Sequence, residues 1–406
     1  MNYSDFIFWW ILILFSVPFL TARYIAKSFN LWRGVFDGVG LAALSLILFY
    51  YASRTSFLVF IVSLAFNYIM VWLVKKKKPL AVLDYVNFIS FFPQIVAGPI
   101  ERRRDLLPQI ESFRLKFTGE NFEKGLRWLS LGLFMKFVLA DNLAPYIELD
   151  KMIDNAWYIW FEAFLFTLRI YFDFGGYSFI AVGLAYFVGI RLELNFLAPY
   201  TSQSINEFWR RWHITLSTWF RDYVFLPLMG SNKSWAPFYL FITFTLSGFW
   251  HGAAWNFIFW GAYHGALLLL LRYLGRPFYA FVGKYVSQPQ IVSWALTQLA
   301  VIFGCLFFME INTRRLIGKM LVIANPFNYS LANIGEIFSS YSLNQGAVLS
   351  VALVLGIIVL ILEHLAIAQK KFEYELLLSP WLSKILLGLT ILLASTNTGD
   401  FIYFEF

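Results

Sequence analysis

The sequence predicts an all-α, polytopic membrane protein of about ten to eleven spans plus re-entrant segments, built as a single domain over residues 1–406. Three observations predict it. The chain is 60% hydrophobic and 14% charged, where an ordinary soluble chain is about 45–50% apolar and about 25% charged. Its mean hydropathy is +0.65, and a soluble fold with that balance would expose more apolar surface than water tolerates. Apolar stretches near the ~20 residues needed to cross a bilayer recur along its whole length.

Taken in order, the predicted spans fall at roughly 6–22, 37–53, 56–74, 126–145, 155–172, 176–190, 236–255, 257–274, 291–309, 346–367 and 381–396. The N-terminus lacks the basic region and small-residue cleavage site of a signal peptide, so it reads as a retained first span. Arg23, Lys27 and Arg33 follow span one, only Arg54 follows span two, and Lys75 to Lys78 follow span three. By the positive-inside rule the N-terminus lies outside and the lysine run faces the cytoplasm. Arg102, Arg103, Arg104, Arg114 and Lys116 form the next basic cluster, on the same side. Between the two clusters, Val86 to Ile100 is apolar, too short to cross, and interrupted by Pro93, Gly98 and Pro99. It reads as a re-entrant segment, tolerated at depth only when buried in protein or lining a cavity; an interfacial helix is the alternative. Residues 101–125 are basic and amphipathic and lie on the membrane surface, and 200–230 forms a second non-spanning region.

Several function classes are excluded. The single cysteine, Cys305, allows no intrachain disulfide and no Cys-based metal site. The net charge of +8 fits basic cytoplasmic loops, and 16 Trp and 22 Tyr fit interfacial belts, with no hydrophilic domain to bind nucleic acid. There is no HExxH spacing for a metal, no Walker A lysine, no dinucleotide fingerprint and no GxSxG elbow.

Chemistry is left to histidine. An ionisable side chain inside a span is costly and suggests function, and histidine exchanges protons near neutrality. Of the four histidines, His251 sits in Ser247-Gly-Phe-Trp-His-Gly-Ala-Ala-Trp255, inside an apolar span and beside small residues that leave room for a substrate or another helix. Hydrogen bonding to a neighbouring helix is the structural alternative. His213 lies in a segment, Glu207 to Asp222, that packs three arginines, two carboxylates, three tryptophans and a histidine into sixteen residues. Arg210, Arg211 and Arg221 present forks suited to phosphate or carboxylate; a surface helix with aromatic and basic faces would show the same pattern. His264 and His364 are expected to be structural.

These residues carry a family resemblance. Phe91-Phe-Pro-Gln-Ile-Val-Ala-Gly-Pro-Ile100, Ile170-Tyr-Phe-Asp-Phe-Gly-Gly-Tyr-Ser178, Asn195-Phe196, Glu207 to Pro227 and Leu246 to Gly265 occur in the order found in the membrane-bound O-acyltransferase family. The chain resembles its bacterial branch, which includes the membrane proteins of alginate O-acetylation. The resemblance implies a helical ring around a central tunnel, with His251 as catalytic residue and His213 in the second active-site position. Trp250 and Tyr177, within the matching motifs, are supporting candidates. The chain departs from the family pattern at Phe179, at Met309-Glu310 and at Met229. The lysine run also leads almost directly into the Phe-Pro-Gln block, so a segment that relatives carry there is expected to be absent.

The expected chemistry uses acetyl-CoA as donor, with no metal and no bound cofactor. Its phosphates meet Arg210, Arg211 and Arg221, with Arg102 to Arg104 as further candidates. His251 takes the proton of an acceptor hydroxyl, and His213 orients that acceptor or polarises the thioester carbonyl. Asp222 or Asp173 fixes a tautomer. The resemblance further implies a bacterial plasma-membrane protein, a periplasmic or extracellular transferase partner and an exopolysaccharide acceptor. Two rival expectations stand beside it: D-alanyl transfer to teichoic acid, and a transporter using the same broken intramembrane segments without forming bonds.

Overall fold

A computed structural model of the chain describes residues 6–29, 35–52, 61–62, 81–94, 98–115, 118–148, 154–252, 254–330, 334–335, 337 and 341–395. The predicted third span beyond residues 61–62, the lysine run 75–78, Lys116 and residue 396 lie outside them. Among the described residues every regular element is helical. Five helices are long and apolar enough to cross a bilayer, and two shorter ones, Val35–Tyr51 and Pro380–Leu393, are apolar. Apolar side chains cover their outward faces: Leu14, Leu270, Ile357 and Ile391 are all more than half exposed or nearly so, at 65%, 52%, 47% and 78%. In water these faces would drive aggregation; in lipid they are solvated. The protein is a multi-pass membrane protein.

The chain forms two compact units, Met1–Gly132 with Tyr177–Leu194, and Leu133–Gly176 with Asn195–Phe406. In the first, helix α1 (Phe6–Ser28) is pinned to α2 (Val35–Ala52) by Arg23, which pairs with Asp37 at 2.8 Å. The same guanidinium donates to the Leu115 carbonyl at 2.8 Å. Helix α3 (Val82–Ser90) has nine residues, about 13 Å of rise and half of what a bilayer requires. Asn87 donates to the Gly38 carbonyl on α2 at 3.1 Å, and Phe91 and Phe92 are fully buried. Burial within protein is the condition for a non-spanning segment at depth, so the re-entrant reading is favoured over an interfacial helix. Gly98 belongs to this turn: a Cβ there would collide with the Pro93 carbonyl. Helices α4 (Arg103–Glu111) and α5 (Gly119–Leu133) follow.

Helix α6 (Ala156–Val188) corrects the sequence prediction. Residues 155–172 and 176–190, expected as two spans, are one helix of 33 residues, about 50 Å long. Gly175-Gly176 does not break it. Glycine costs a helix interior about 1 kcal/mol, but the best window of this helix is 89% buried, so packing on all sides offsets the cost. Its C-terminal part crosses α5 with backbones in contact, since a Cβ on Gly183 would lie 2.8 Å from the Gly125 carbonyl oxygen.

The second unit opens with a π-helical segment, Phe134–Ala140. It then carries α7 (Ile205–Arg211), α8 (Ile214–Phe220), α9 (Ala236–His251), α10 (Trp255–Tyr285), α11 (Pro289–Met309), α12 (Thr313–Ala324), α13 (Leu343–Ala368) and α14 (Pro380–Leu393). Helices α9 and α10 form a tight hairpin. A Cβ at Gly248 would strike the Phe257 carbonyl, and one at Gly261 would strike the Phe244 carbonyl. Small residues at such a crossing let two backbones approach where lipid supplies no hydrophobic drive.

Candidate active site

The stretch bearing His213 is a corner between two short helices. Ser204 caps α7 by accepting the Glu207 N–H at 3.2 Å, while the Glu207 carboxylate accepts the Gln203 N–H at 2.9 Å, a variant of the capping box written in Ser204-Ile-Asn-Glu207. Trp212 leaves the helix in extended conformation, and His213 takes φ 41°, ψ 53° before α8 begins. A left-handed conformation costs a non-glycine residue about 1 kcal/mol or more, and such strain clusters at functional positions.

Asn195 holds that corner. Its carbonyl accepts the Ile214 N–H at 2.9 Å, and its side-chain Oδ1 accepts the Thr215 hydroxyl at 2.5 Å. The same Oδ1 lies 3.3 Å from His213 Nδ1. An amide oxygen only accepts, so in this arrangement Nδ1 carries the proton and Nε2 the lone pair. Burial at 4% exposure holds the His213 imidazole well below its ordinary pKa, and a charge on His251 would lower it further. The ring is therefore a neutral acceptor at Nε2.

His251 lies within the predicted 236–255 segment, at its C-terminal end. It is the last residue of α9, followed directly by the break at Gly252. Its ring packs edge-on against Trp260 and Phe308, with centroids at 5.2 Å in each case. His213 and His251 line one cavity of about 260 Å³, together with Trp209, Ser217, Arg221, Ser247 and Trp260.

The remaining predicted residues divide. Arg221 lines the cavity and is exposed, bonded to its neighbour Asp222 at 2.7 Å. Arg210 is exposed. The Arg211 fork is taken up by Glu207 at 3.0 Å, Glu373 at 3.1 Å and the Leu197 carbonyl at 2.9 Å. It fastens the corner, which leaves Arg210 and Arg221 as the accessible cations of the segment. Asp173 pairs with Lys136 at 2.9 Å, and Asp141 completes that buried trio at 2.8 Å. Trp250 packs against His251 but is 53% exposed. Tyr177 is buried in the first unit. Among the described residues no three His, Cys, Asp or Glu side chains converge as metal ligands.

The sequence of the membrane-bound O-acyltransferase family matches residues 1–313. The chain belongs to that family. Within it, the chain is 42% identical over 240 residues to a probable alginate O-acetylase of Azotobacter vinelandii, covering 57% of this chain and 45% of the relative. It is 37% identical over 236 residues to a peptidoglycan O-acetyltransferase of Helicobacter pylori, covering 57% and 44%. To a teichoic acid D-alanyltransferase of Bacillus subtilis it is 34% identical over 258 residues, covering 58% and 63%. The chain thus matches less than half the length of the O-acetylating relatives named here.

Sequence reasoning overlooked the other buried ionisable groups of the second unit. Lys136, Glu162 and Glu363 all stand inside predicted spans, so the rule that singled out histidine applied to them equally. Asn195 was noted only as part of a matching motif; an uncharged side chain in a loop carries no signal until its partners are seen.

Proposed function

We propose that this protein is an O-acyltransferase that takes acetyl from cytosolic acetyl-CoA and delivers it to a hydroxyl on the outer side of the membrane. The acceptor is an extracytoplasmic polysaccharide or a partner transferase that serves one. The observation that carries this reading is the shared cavity of His213 and His251. Family membership and the O-acetylating relatives support the reaction class.

The proposed chemistry uses the two histidines of this cavity. Neutral His251 takes the proton of the acceptor hydroxyl as its oxygen attacks the thioester carbonyl carbon. The carbon–sulfur bond then breaks, and the CoA thiolate takes the proton back from His251. Because His213 presents a lone pair at Nε2, it suits a neighbouring hydroxyl of the acceptor, which it orients; polarising the carbonyl would need a proton there. Arg221 at the cavity and the exposed Arg210 of the same segment supply charge-assisted contacts for donor phosphates. The basic loops support a donor side in the cytoplasm with the N-terminus outside, and the O-acetylating bacterial relatives support a bacterial plasma membrane as the location.

The test is acetyl transfer, or slow hydrolysis, of acetyl-CoA by the full chain in detergent or nanodiscs. A transporter would do neither. D-alanyl transfer is favoured by one relative; a protein that uses a carrier-bound D-alanyl thioester and ignores acetyl-CoA would replace the donor named here.

A further inference from the structure

Three residues other than glycine take a left-handed backbone conformation among the described residues: Ala198 at φ 46°, His213 at φ 41° and Lys370 at φ 56°. Each costs about 1 kcal/mol or more, and all three serve one assembly. Lys370 lies just past the end of α13, where a helix usually places glycine. The Lys371 N–H bonds back to the Ala366 carbonyl at 2.9 Å, which turns the chain sharply. The turn sets Glu373 and Tyr374 against the two sides of the His213 corner. Glu373 accepts from Arg211, two residues before His213, at 3.1 Å. Tyr374, fully buried, accepts the Ala198 N–H at 2.8 Å.

The two sides of the corner are tied to each other. The Leu197 N–H bonds to the Arg211 carbonyl and the Ile214 N–H to the Asn195 carbonyl, each at 2.9 Å. Tyr374 in turn is held from behind. Tyr171, on α6, donates to Glu363 Oε1, on α13, at 2.6 Å, so the 3.2 Å contact between the two phenol oxygens uses the Tyr374 proton. A one-way chain of donors thus runs from the Ala198 N–H through Tyr374 and Tyr171 to Glu363, and all three side chains are fully buried. Hydrogen bonds in such a row strengthen one another. Apolar packing would hold the turn near the corner, but only directional bonds fix a backbone conformation that its own residues disfavour. Glu363, Glu373 and Tyr374 lie beyond residues 1–313, the part matched to the family.

We propose that the turn after α13 is the positioning element of the active-site corner. Tyr374, backed by Tyr171 and Glu363, holds Ala198 and through it the contact of Asn195 with His213, so that the His213 ring keeps its proton on Nδ1. Tyr374 does not line the cavity of His213 and His251; it is a positioning residue that acts through the corner. The inference rests on the proposed function for its effect on rate, though not for its effect on the His213 ring.

With only four histidines in the chain, nitrogen-15 labelling resolves the His213 ring in the full-length protein, its signals assigned by their loss in His213→Asn. The unaltered protein should show one neutral tautomer. In Tyr374→Phe, which keeps the aromatic ring and removes only the hydroxyl, the His213 signals should move toward a mixture of tautomers. Acetyl transfer should fall about 10-fold, the low end for losing an outer partner of a metal-bound histidine. The fall should be in kcat and not in the KM for acetyl-CoA, since Arg210 and Arg221 are untouched. Glu363→Leu should act in the same way, whereas Glu363→Gln retains an oxygen for Tyr171 and should return the signals and most of the rate. Glu373→Ala loosens the other side of the corner from a partly exposed position and takes the place of Tyr374→Phe if that variant does not fold. Parental His213 signals in the folded Tyr374, Glu363→Leu and Glu373 variants would overturn the proposal, because a turn that only packs would lower the melting temperature and leave the ring alone. Absence of transfer by the unaltered protein would instead refute the proposed reaction, and the His213 signals would still decide the positioning.

Discussion

Two regions of the second unit bury ionisable side chains, and they do so in opposite ways. Around α12, Lys319 lies 3.3 Å from Glu310 and 3.8 Å from Glu162, all three fully buried, and Arg315 adds a contact to Glu310 at 3.0 Å. Every charge there faces an opposite charge. At the His213–His251 cavity the His213 ring is neutral and faces the Asn195 side-chain oxygen instead of a carboxylate among the described residues, and open volume adjoins both rings. Burying a charge in a membrane chain is costly in either place. The charged cluster meets the cost by pairing, whereas His213 avoids it by staying neutral beside open volume. Ionisable groups in a span therefore mark function when space adjoins them and architecture when a counter-charge does.

The comparison breaks most sharply at His251. In His251→Ala, transfer from acetyl-CoA should fall by about 10³-fold or more, the scale of general-base catalysis, while the melting temperature stays close to that of the unaltered protein. Retained transfer in a folded variant would remove His251 from the chemistry. The converse holds at the charged cluster. Lys319→Met leaves two buried carboxylates short of a cation and should cost about 3–5 kcal/mol of stability, seen as a large drop in melting temperature in detergent. A drop under about 2 °C would mean less than 1 kcal/mol and would deny that pairing holds this region together.

Glu101, in the first unit, is an intermediate case. It is buried, its one oxygen accepts the Glu193 N–H at 2.7 Å, and burial raises its pKa from 4.5 to about 7. A carboxyl whose folded pKa is raised is more protonated in the fold than in the unfolded chain. Its contribution to stability is full below pH 4.5 and is lost as pH rises through about 7. The loss is on the order of 3 kcal/mol. Glu101→Gln keeps the acceptor and removes the titration, so it should melt higher than the unaltered protein at pH 8 and level with it at pH 5. Parallel melting curves across that range would contradict the assignment.

How much of this was legible beforehand depends on what kind of signal each feature leaves. Apolar length exposed the membrane class, and Pro93 with Gly98 exposed the non-spanning segment, because both are local properties of the chain. The one-helix course of residues 156–188 was hidden, since two apolar runs joined by Gly175-Gly176 look the same whether the join is a turn or a helix packed on every side. His213 and His251 stood out by residue type and motif, but their common cavity joins residues 38 apart and has no local trace. Asp173 looked like a partner for a histidine by proximity in motif; its pairing with Lys136 depends on how a π-helical segment turns that lysine inward.

The finest distinction concerns Asn195, which makes His213 an acceptor instead of a donor. Asn195→Leu removes the oxygen that fixes the ring and should lower transfer about 10-fold, the low end of the range for losing a histidine's orienting partner. Asn195→Asp restores an acceptor but sets a carboxylate beside the imidazole, which favours the charged form and raises the His213 pKa. The aspartate variant should therefore match the parent rate at high pH and lose activity as pH falls through that raised pKa, where the parent, held neutral by burial, does not. If instead the aspartate variant follows the parent pH profile throughout, the lone pair at His213 Nε2 is not what the reaction uses. His213 would then belong with Lys319 and Glu310 among the residues that build the protein.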